Sequence, residues 1–193
     1  DWLASVFDQN TQSDKGNGDV SAILELHTVK LLLQLFNLPE DFTGAFVSAA
    51  TMSNFTGLAV ARQWLALQKG YDAAIEGVKP GMKIYTATPH SSAIKSLSML
   101  GIGSSNIISI PVLPYRECMD TIAFEKLISQ HPDEPFILIA SGGTVNTVDF
   151  DDMQFIASLK SKYNFWWHID AAFGGFANCS PAYRHLLKGW ESA

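Results

Sequence analysis

His168-Ile169-Asp170-Ala171-Ala172-Phe173-Gly174-Gly175 is the stretch that decides how this chain is read. The apolar run Phe165-Trp166-Trp167 leads into it and predicts a buried strand. Asp170 then stands at that strand's carboxyl end, and side-chain bulk disappears after it. In an open α/β sheet, ligands bind in the crevice outside the carboxyl ends of the strands. An acid followed by alanines and glycines suits a flat ligand lying close to the backbone, with a cationic or N–H group facing Asp170. A lone acid there would read as a loop cap, so the rest of the chain decides between the two.

Outward from that stretch the pattern alternates. Helices are expected over residues 21–36, 51–69, 91–100, 120–130 and 151–163, and strands over 45–47, 83–87, 107–112, 136–140 and 166–169. Gly70 and Gly101 stop two of the helices, and Asn37-Leu38-Pro39 stops the first. Strands alternating with helices of this length imply an α/β fold in three layers, with a mostly parallel sheet covered on both faces. Residues 2–7 read as a short amphipathic piece, and residues 10–19 as a polar loop. No linker with a shift in composition divides the chain.

Three more segments fall at the same edge of the expected sheet. Ser48-Ala49-Ala50-Thr51-Met52-Ser53-Asn54 opens a long helix, where free N–H groups and the positive end of the helix dipole suit a phosphate. Thr88-Pro89-His90-Ser91-Ser92 sets an imidazole between a strand and a helix. Ala140-Ser141-Gly142-Gly143-Thr144-Val145-Asn146-Thr147 follows another buried strand. Asp149, Asp151 and Asp152 read as caps of the next helix. His168 lies two residues before Asp170 on the same side of its strand and reads as the group that orients it.

Composition bounds the answer. The 193 residues are 47% hydrophobic and 17% charged, enough for a sizeable core. A net charge of −6, from 13 Lys+Arg against 19 Asp+Glu, leaves no basic footprint for nucleic acid or an anionic membrane. No apolar run is long enough to span a bilayer and no signal peptide opens the chain, so the expected compartment is the cytoplasm. Cys118 and Cys179 lack metal or redox spacing and read as free thiols, with no metal site expected. The opening Asp1-Trp2-Leu3 and the closing Glu191-Ser192-Ala193 suggest a piece of a longer polypeptide.

Taken in order, these segments resemble the group II pyridoxal-phosphate-dependent amino-acid decarboxylases, whose H-x-D-A-A-x-G-G segment matches residues 168–175. The resemblance covers nearly the whole chain and implies fold type I, the aspartate aminotransferase superfamily. It implies pyridoxal 5'-phosphate as cofactor and an L-amino acid as substrate. Asp170 would pair with the protonated pyridine nitrogen, where a carboxylate favours the charged and more electron-withdrawing ring. Ala172 would sit under the ring. His90 would stack on it and help protonate Cα after CO2 leaves. Ala50 and Thr51 match the phosphate loop, and Thr144 the hydroxyl near the cofactor, with Asn146 a further candidate. The catalytic pair implied is His90 and Asp170. Glu25 falls where the family often has an acid, and Arg62 reads as structural. Tyr115 and Arg116 have no match in the family. The sequence departs from the family at Ala49 and Ala50, where glycine is common, and at Met52, where an acid is common.

The resemblance also divides the chain into an N-terminal helical segment, 1–43, and a partial large cofactor-binding domain, 44–193. It implies a homodimer that the first helix helps to build. One part of the pattern is missing. The Schiff-base lysine belongs one strand beyond the Asp, and the one lysine after Asp170 is Lys188, in a helical turn that does not match it. The rest of the polypeptide would then be continuous with this chain or a separate one. Another lyase, aldolase or desulfurase on the same cofactor stays open, as does a non-catalytic homologue acting as a partner subunit.

Overall fold

The computed structural model describes Val6 and residues 20–193, so the readings on residues 2–5, 7 and 10–19 lie outside the described residues. Two compact units divide between Phe46 and Val47. The first holds α1 (Ser21–Leu35), which leaves Leu24, Leu31 and Leu35 exposed. Residues 45–47 form no strand. No ladder partner faces them among the described residues, and the Phe46 N–H donates instead to the Glu25 carboxylate at 2.7 Å.

The second unit runs α2 (Ala50–Gln68), α3 (Ala73–Glu76), β1 (Ile84–Thr86), α4 (Ser91–Met99), β2 (Ile107–Ser109), α5 (Thr121–Ile128), β3 (Phe136–Ser141), α6 (Met153–Leu159) and β4 (Phe165–Asp170). Short 3-10 turns follow, among them Gly175–Cys179 and Arg184–Leu187. The four strands are all parallel, in the order β2-β1-β3-β4. Strand β2 is shorter than the sequence suggested. Ile110 still donates to Thr86 O at 2.8 Å, but Pro111 has no N–H to extend the ladder.

Alternation along each strand sorts the core. Ile84, Ile137, Ile139 and Trp166 face Leu58, Ala61 and Leu65 of α2 and Leu97 of α4. The opposite face is aromatic: Phe136 stacks on Phe165 at 5.1 Å and meets Tyr85 edge-on at 5.0 Å, with Phe124 of α5 beyond. Helices therefore cover both faces, as the three-layer reading expects. Each fully buried Leu or Ile contributes about 2 kcal/mol relative to exposure. Asp72, Asp120 and Asp152 accept first-turn N–H groups at the starts of α3, α5 and α6.

The strand order reverses between β1 and β3. Chain leaving β1 moves outward to β2, then crosses back past β1 to β3 and on to β4. Such a reversal opens a crevice at the carboxyl ends of the strands.

Candidate active site

A cavity of about 310 Å³ lies at that reversal, within the range of roughly 300–1,000 Å³ typical of ligand pockets. The segments after β1, β3 and β4 each supply a wall, and Ala50 and Asn54 of α2 complete it. No lysine or arginine lines it among the described residues. The register explains why these segments meet: Ser141 pairs with Asp170 at the ends of β3 and β4.

The floor is a chain of polar contacts, buried at Asn54 and Ser92 and partly buried beyond them. Asn54 is 4% exposed, on a stripe of α2 otherwise made of Leu58, Ala61 and Leu65. Its Nδ2 donates to Asp170 Oδ2 at 2.8 Å and to Ser92 Oγ at 2.9 Å. Its Oδ1 accepts from His168 Nε2 at 2.8 Å. Burial pushes the His168 imidazole down to about 4, against the pull of the nearby Asp170 carboxylate. Asp170 Oδ1 takes the Ala172 N–H at 3.2 Å. On the facing wall, His90 caps α4: its Nδ1 accepts the Ser92 N–H at 3.2 Å and lies 2.7 Å from Ser92 Oγ.

The rim is built from loops. Glu117 accepts from Asn146 Nδ2 at 2.9 Å and from the Thr147 hydroxyl at 2.8 Å. Those hydroxyl and amide donors, Thr144 first, hold its carboxyl down to about 2. Thr88 donates to Glu117 O at 2.8 Å. Asp149 accepts from Arg116 Nε and from the Glu117 N–H, and the guanidinium holds its carboxyl down to about 2. Asp151 accepts the Met119 and Ser141 N–H groups, each at 2.7 Å. Of the three acids read as caps, then, only Asp152 caps a helix, and the other two tie loops together.

A cavity at a strand-order reversal, with a carboxylate on one wall and an imidazole on another, can be compared with known proteins. The family model described as "Pyridoxal-dependent decarboxylase conserved domain" matches residues 1–193. The chain belongs to this decarboxylase family. An L-2,4-diaminobutyrate decarboxylase of Acinetobacter baumannii is 27% identical over 98% of this chain and 40% of its own length. An enzyme of the same name from Rhizobium meliloti is 31% identical over 90% of this chain and 34% of its own. The solved glutamate decarboxylase domain of the diaminobutyrate-pyruvate transaminase and L-2,4-diaminobutyrate decarboxylase of Vibrio parahaemolyticus superposes with a TM-score of 0.86, at 28% identity. That match covers 100% of this chain and 43% of the other. The chain thus spans between about a third and just over two fifths of the length of such relatives.

Pyridoxal 5'-phosphate is the family's cofactor, and the donor set suits it. One acid, Asp170, and one flat ring, His90, face the same cavity, and α2 begins there with no side chain capping its free N–H groups.

Of the residues singled out in the sequence, Ala50, His90, Thr144, Asn146, Asp170 and Ala172 line this one cavity. Thr51 is exposed and off its wall. His168 reaches Asp170 through Asn54 rather than directly. Tyr115 is fully exposed, Arg116 is spent on Asp149, and Arg62 Nη1 lies 3.4 Å from Leu100 O. Lys188 borders a different cavity, with Arg116 and His185. Sequence reasoning missed Glu117, and it gave no role of their own to Asn54 and Ser92, which lay within two of the segments it singled out. The available signal for Asn54 was its place as the polar first member of an apolar stripe.

Proposed function

We propose that this chain is the ring-binding part of a pyridoxal-phosphate-dependent enzyme that releases CO2 from an L-amino acid. One observation carries the reading: the Asp170 carboxylate, the His90 imidazole and the uncapped start of α2 share one cavity. Bound pyridoxal phosphate supplies an electron sink for the pair left when the Cα–carboxylate bond breaks. Asp170 offers a negative charge to the protonated ring nitrogen. Ala172 leaves room for the ring, His90 closes the facing wall, and the first-turn N–H groups of α2 receive the phosphate. The covalent lysine is assigned to a segment outside this chain, and Lys188 is given no part. A cytoplasmic homodimer belongs to the same reading, and the exposed Leu24, Leu31 and Leu35 of α1 support a partner surface.

The test is CO2 release by the full-length protein from a panel of acidic, basic and aromatic L-amino acids, with and without Asp170→Ala. Release from at least one substrate is expected, with a loss on the order of 100- to 1,000-fold in the variant and an unchanged circular dichroism spectrum. Full turnover by Asp170→Ala refutes its role. Turnover without CO2 assigns the protein another chemistry on the same cofactor, and failure to bind the cofactor marks a non-catalytic homologue.

A further inference from the structure

We propose that Asn54 is the positioning residue of this site: its carboxamide orients the Asp170 carboxylate through Oδ2, sets the proton of His168 on Nε2, and ties both to the His90 wall through Ser92. This rests on the reading that Asp170 and His90 serve the cofactor. A carboxamide has two N–H donors and one acceptor oxygen. Both donors are spent, on Asp170 Oδ2 at 2.8 Å and Ser92 Oγ at 2.9 Å, and the oxygen accepts from His168 Nε2 at 2.8 Å.

Only one orientation of this amide satisfies its neighbours. Flipped, Oδ1 would face the carboxylate, and the repulsion would fall on buried atoms. With Oδ1 facing His168, that ring must carry its proton on Nε2. The same accounting runs on to the other wall. Ser92 Oγ accepts from Asn54, so its own hydrogen is available for His90 Nδ1 at 2.7 Å. Nδ1 also takes the Ser92 N–H, which leaves the His90 proton on Nε2. One neutral side chain therefore couples a carboxylate and two imidazoles without adding charge to the floor. Networks of this kind polarise along their length, and their parts are held together or not at all.

The experiment is 15N–1H correlation spectroscopy of the imidazoles in 15N-histidine-labelled full-length protein at neutral pH, without cofactor or substrate. His168→Gln and His90→Gln identify the two signals. In the wild type both rings are expected to carry a proton on Nε2, with the Nδ1 of His90 as the acceptor. Asn54→Asp keeps an acceptor facing His168 but removes the donors to Asp170 and Ser92, so His168 should keep its Nε2 proton while the bonds on the other two sides are lost. Asn54→Leu removes the acceptor, so His168 should become a mixture of tautomers. The His90 Nδ1 resonance should move in both variants. The proposal is overturned if His168 is Nδ1–H in the wild type, if it stays wholly Nε2–H in a folded Asn54→Leu protein, or if it loses its Nε2 proton in a folded Asn54→Asp protein. Circular dichroism identifies the folded variants, and either one alone decides. Because no turnover is read, this result stands or falls apart from the decarboxylase reading.

Discussion

On the floor of the cavity, Asn54, His168 and Asp170 come from the body of α2 and the end of β4; at the rim, Glu117, Asn146, Thr147 and Asp149 come from the loops after β2 and β3. The floor carries one carboxylate held by neutral donors, on elements that the core fixes for other reasons. The rim is held by charged groups near water, across loops that include unfavourable backbone. Tyr115 and Val148 sit at φ 61° and 54°, a region that costs a residue with a Cβ roughly 1–2 kcal/mol. A preorganised floor keeps its geometry whatever binds, whereas a strained rim can change shape between ligands. The two regions should therefore respond differently to pH, to added bulk and to loss of a single bond.

The largest difference is in pH dependence, where Asp151 behind the rim and His168 on the floor oppose each other. Asp151, 3% exposed behind the rim, is pushed by burial up to about 6, although two N–H groups favour its charged form. Between its ordinary value near 3.8 and that value, the folded state holds a proton that the unfolded chain has released. Stability therefore falls as pH rises through this window, by about 3 kcal/mol in total. His168 works the other way. Its ordinary value of 6.5 drops to about 4, so the unfolded chain binds the extra proton and stability rises with pH across the window. The residue keeps some exposure, so solvent screening trims the span to about 2 kcal/mol. Urea unfolding of the wild type between pH 4 and 6 should give a shallow profile. Asp151→Asn should leave stability rising with pH, and His168→Gln should leave it falling. Three parallel profiles would show that neither group is perturbed.

The same contrast explains what could be read in the sequence. Asp170, Ala172, His90 and Thr144 lie just past strand ends, where period-two alternation and the α/β rule place a crevice. Ala50 begins α2 at the cavity, but the next residue turns about 100° around the helix, and Thr51 leaves the wall. The floor's hidden member, Asn54, is visible only once Leu58, Ala61 and Leu65 are seen to share its stripe. The rim was legible only in Asn146 and Thr147, within the segment after β3, and not in the pairing that holds it. Glu117 meets Asn146 and Thr147 about thirty residues away, and no local pattern announces that pairing. Asp149 and Asp151 were read as caps because they precede a helix; their partners, Arg116, Glu117, Met119 and Ser141, are set by tertiary structure alone. Strand pairing for residues 45–47 failed for a similar reason, since a three-residue apolar run says nothing of its neighbour.

Added bulk should expose the floor's rigidity. A Cβ on Gly57 would lie 2.8 Å from His168 Cε1 and 3.0 Å from its Nδ1. Glycine to alanine inside a helix normally gains about 1 kcal/mol. Here the ring in the way is fixed by its bond to Asn54 and cannot swing aside, and overpacking costs about 1–3 kcal/mol. Gly57→Ala should therefore lower stability by about 1 kcal/mol and shift the His168 imidazole signals. A variant stabilised to the usual degree would show that the floor yields, and would remove one side of the contrast.

The smallest effect belongs to the rim. Glu117→Gln keeps the size of the side chain but removes the charge that the Thr147 N–H and hydroxyl face at 3.2 and 2.8 Å. An exposed tie of this kind adds little to global stability, so the unfolding midpoint should not move measurably. Local opening is a different quantity, governed by the few bonds that hold a loop rather than by the core. The Thr147 amide should exchange its hydrogen several-fold faster, on the order of the loss of one charge-assisted bond, while the Ala172 amide on the floor should keep its wild-type rate. The wild-type tie should itself loosen as pH falls from 4.5 toward 2, because the Glu117 carboxyl holds its charge down to about 2. Equal acceleration at Thr147 and Ala172 would mean that floor and rim open together, and the division of this cavity into a fixed part and an adjustable part would not hold.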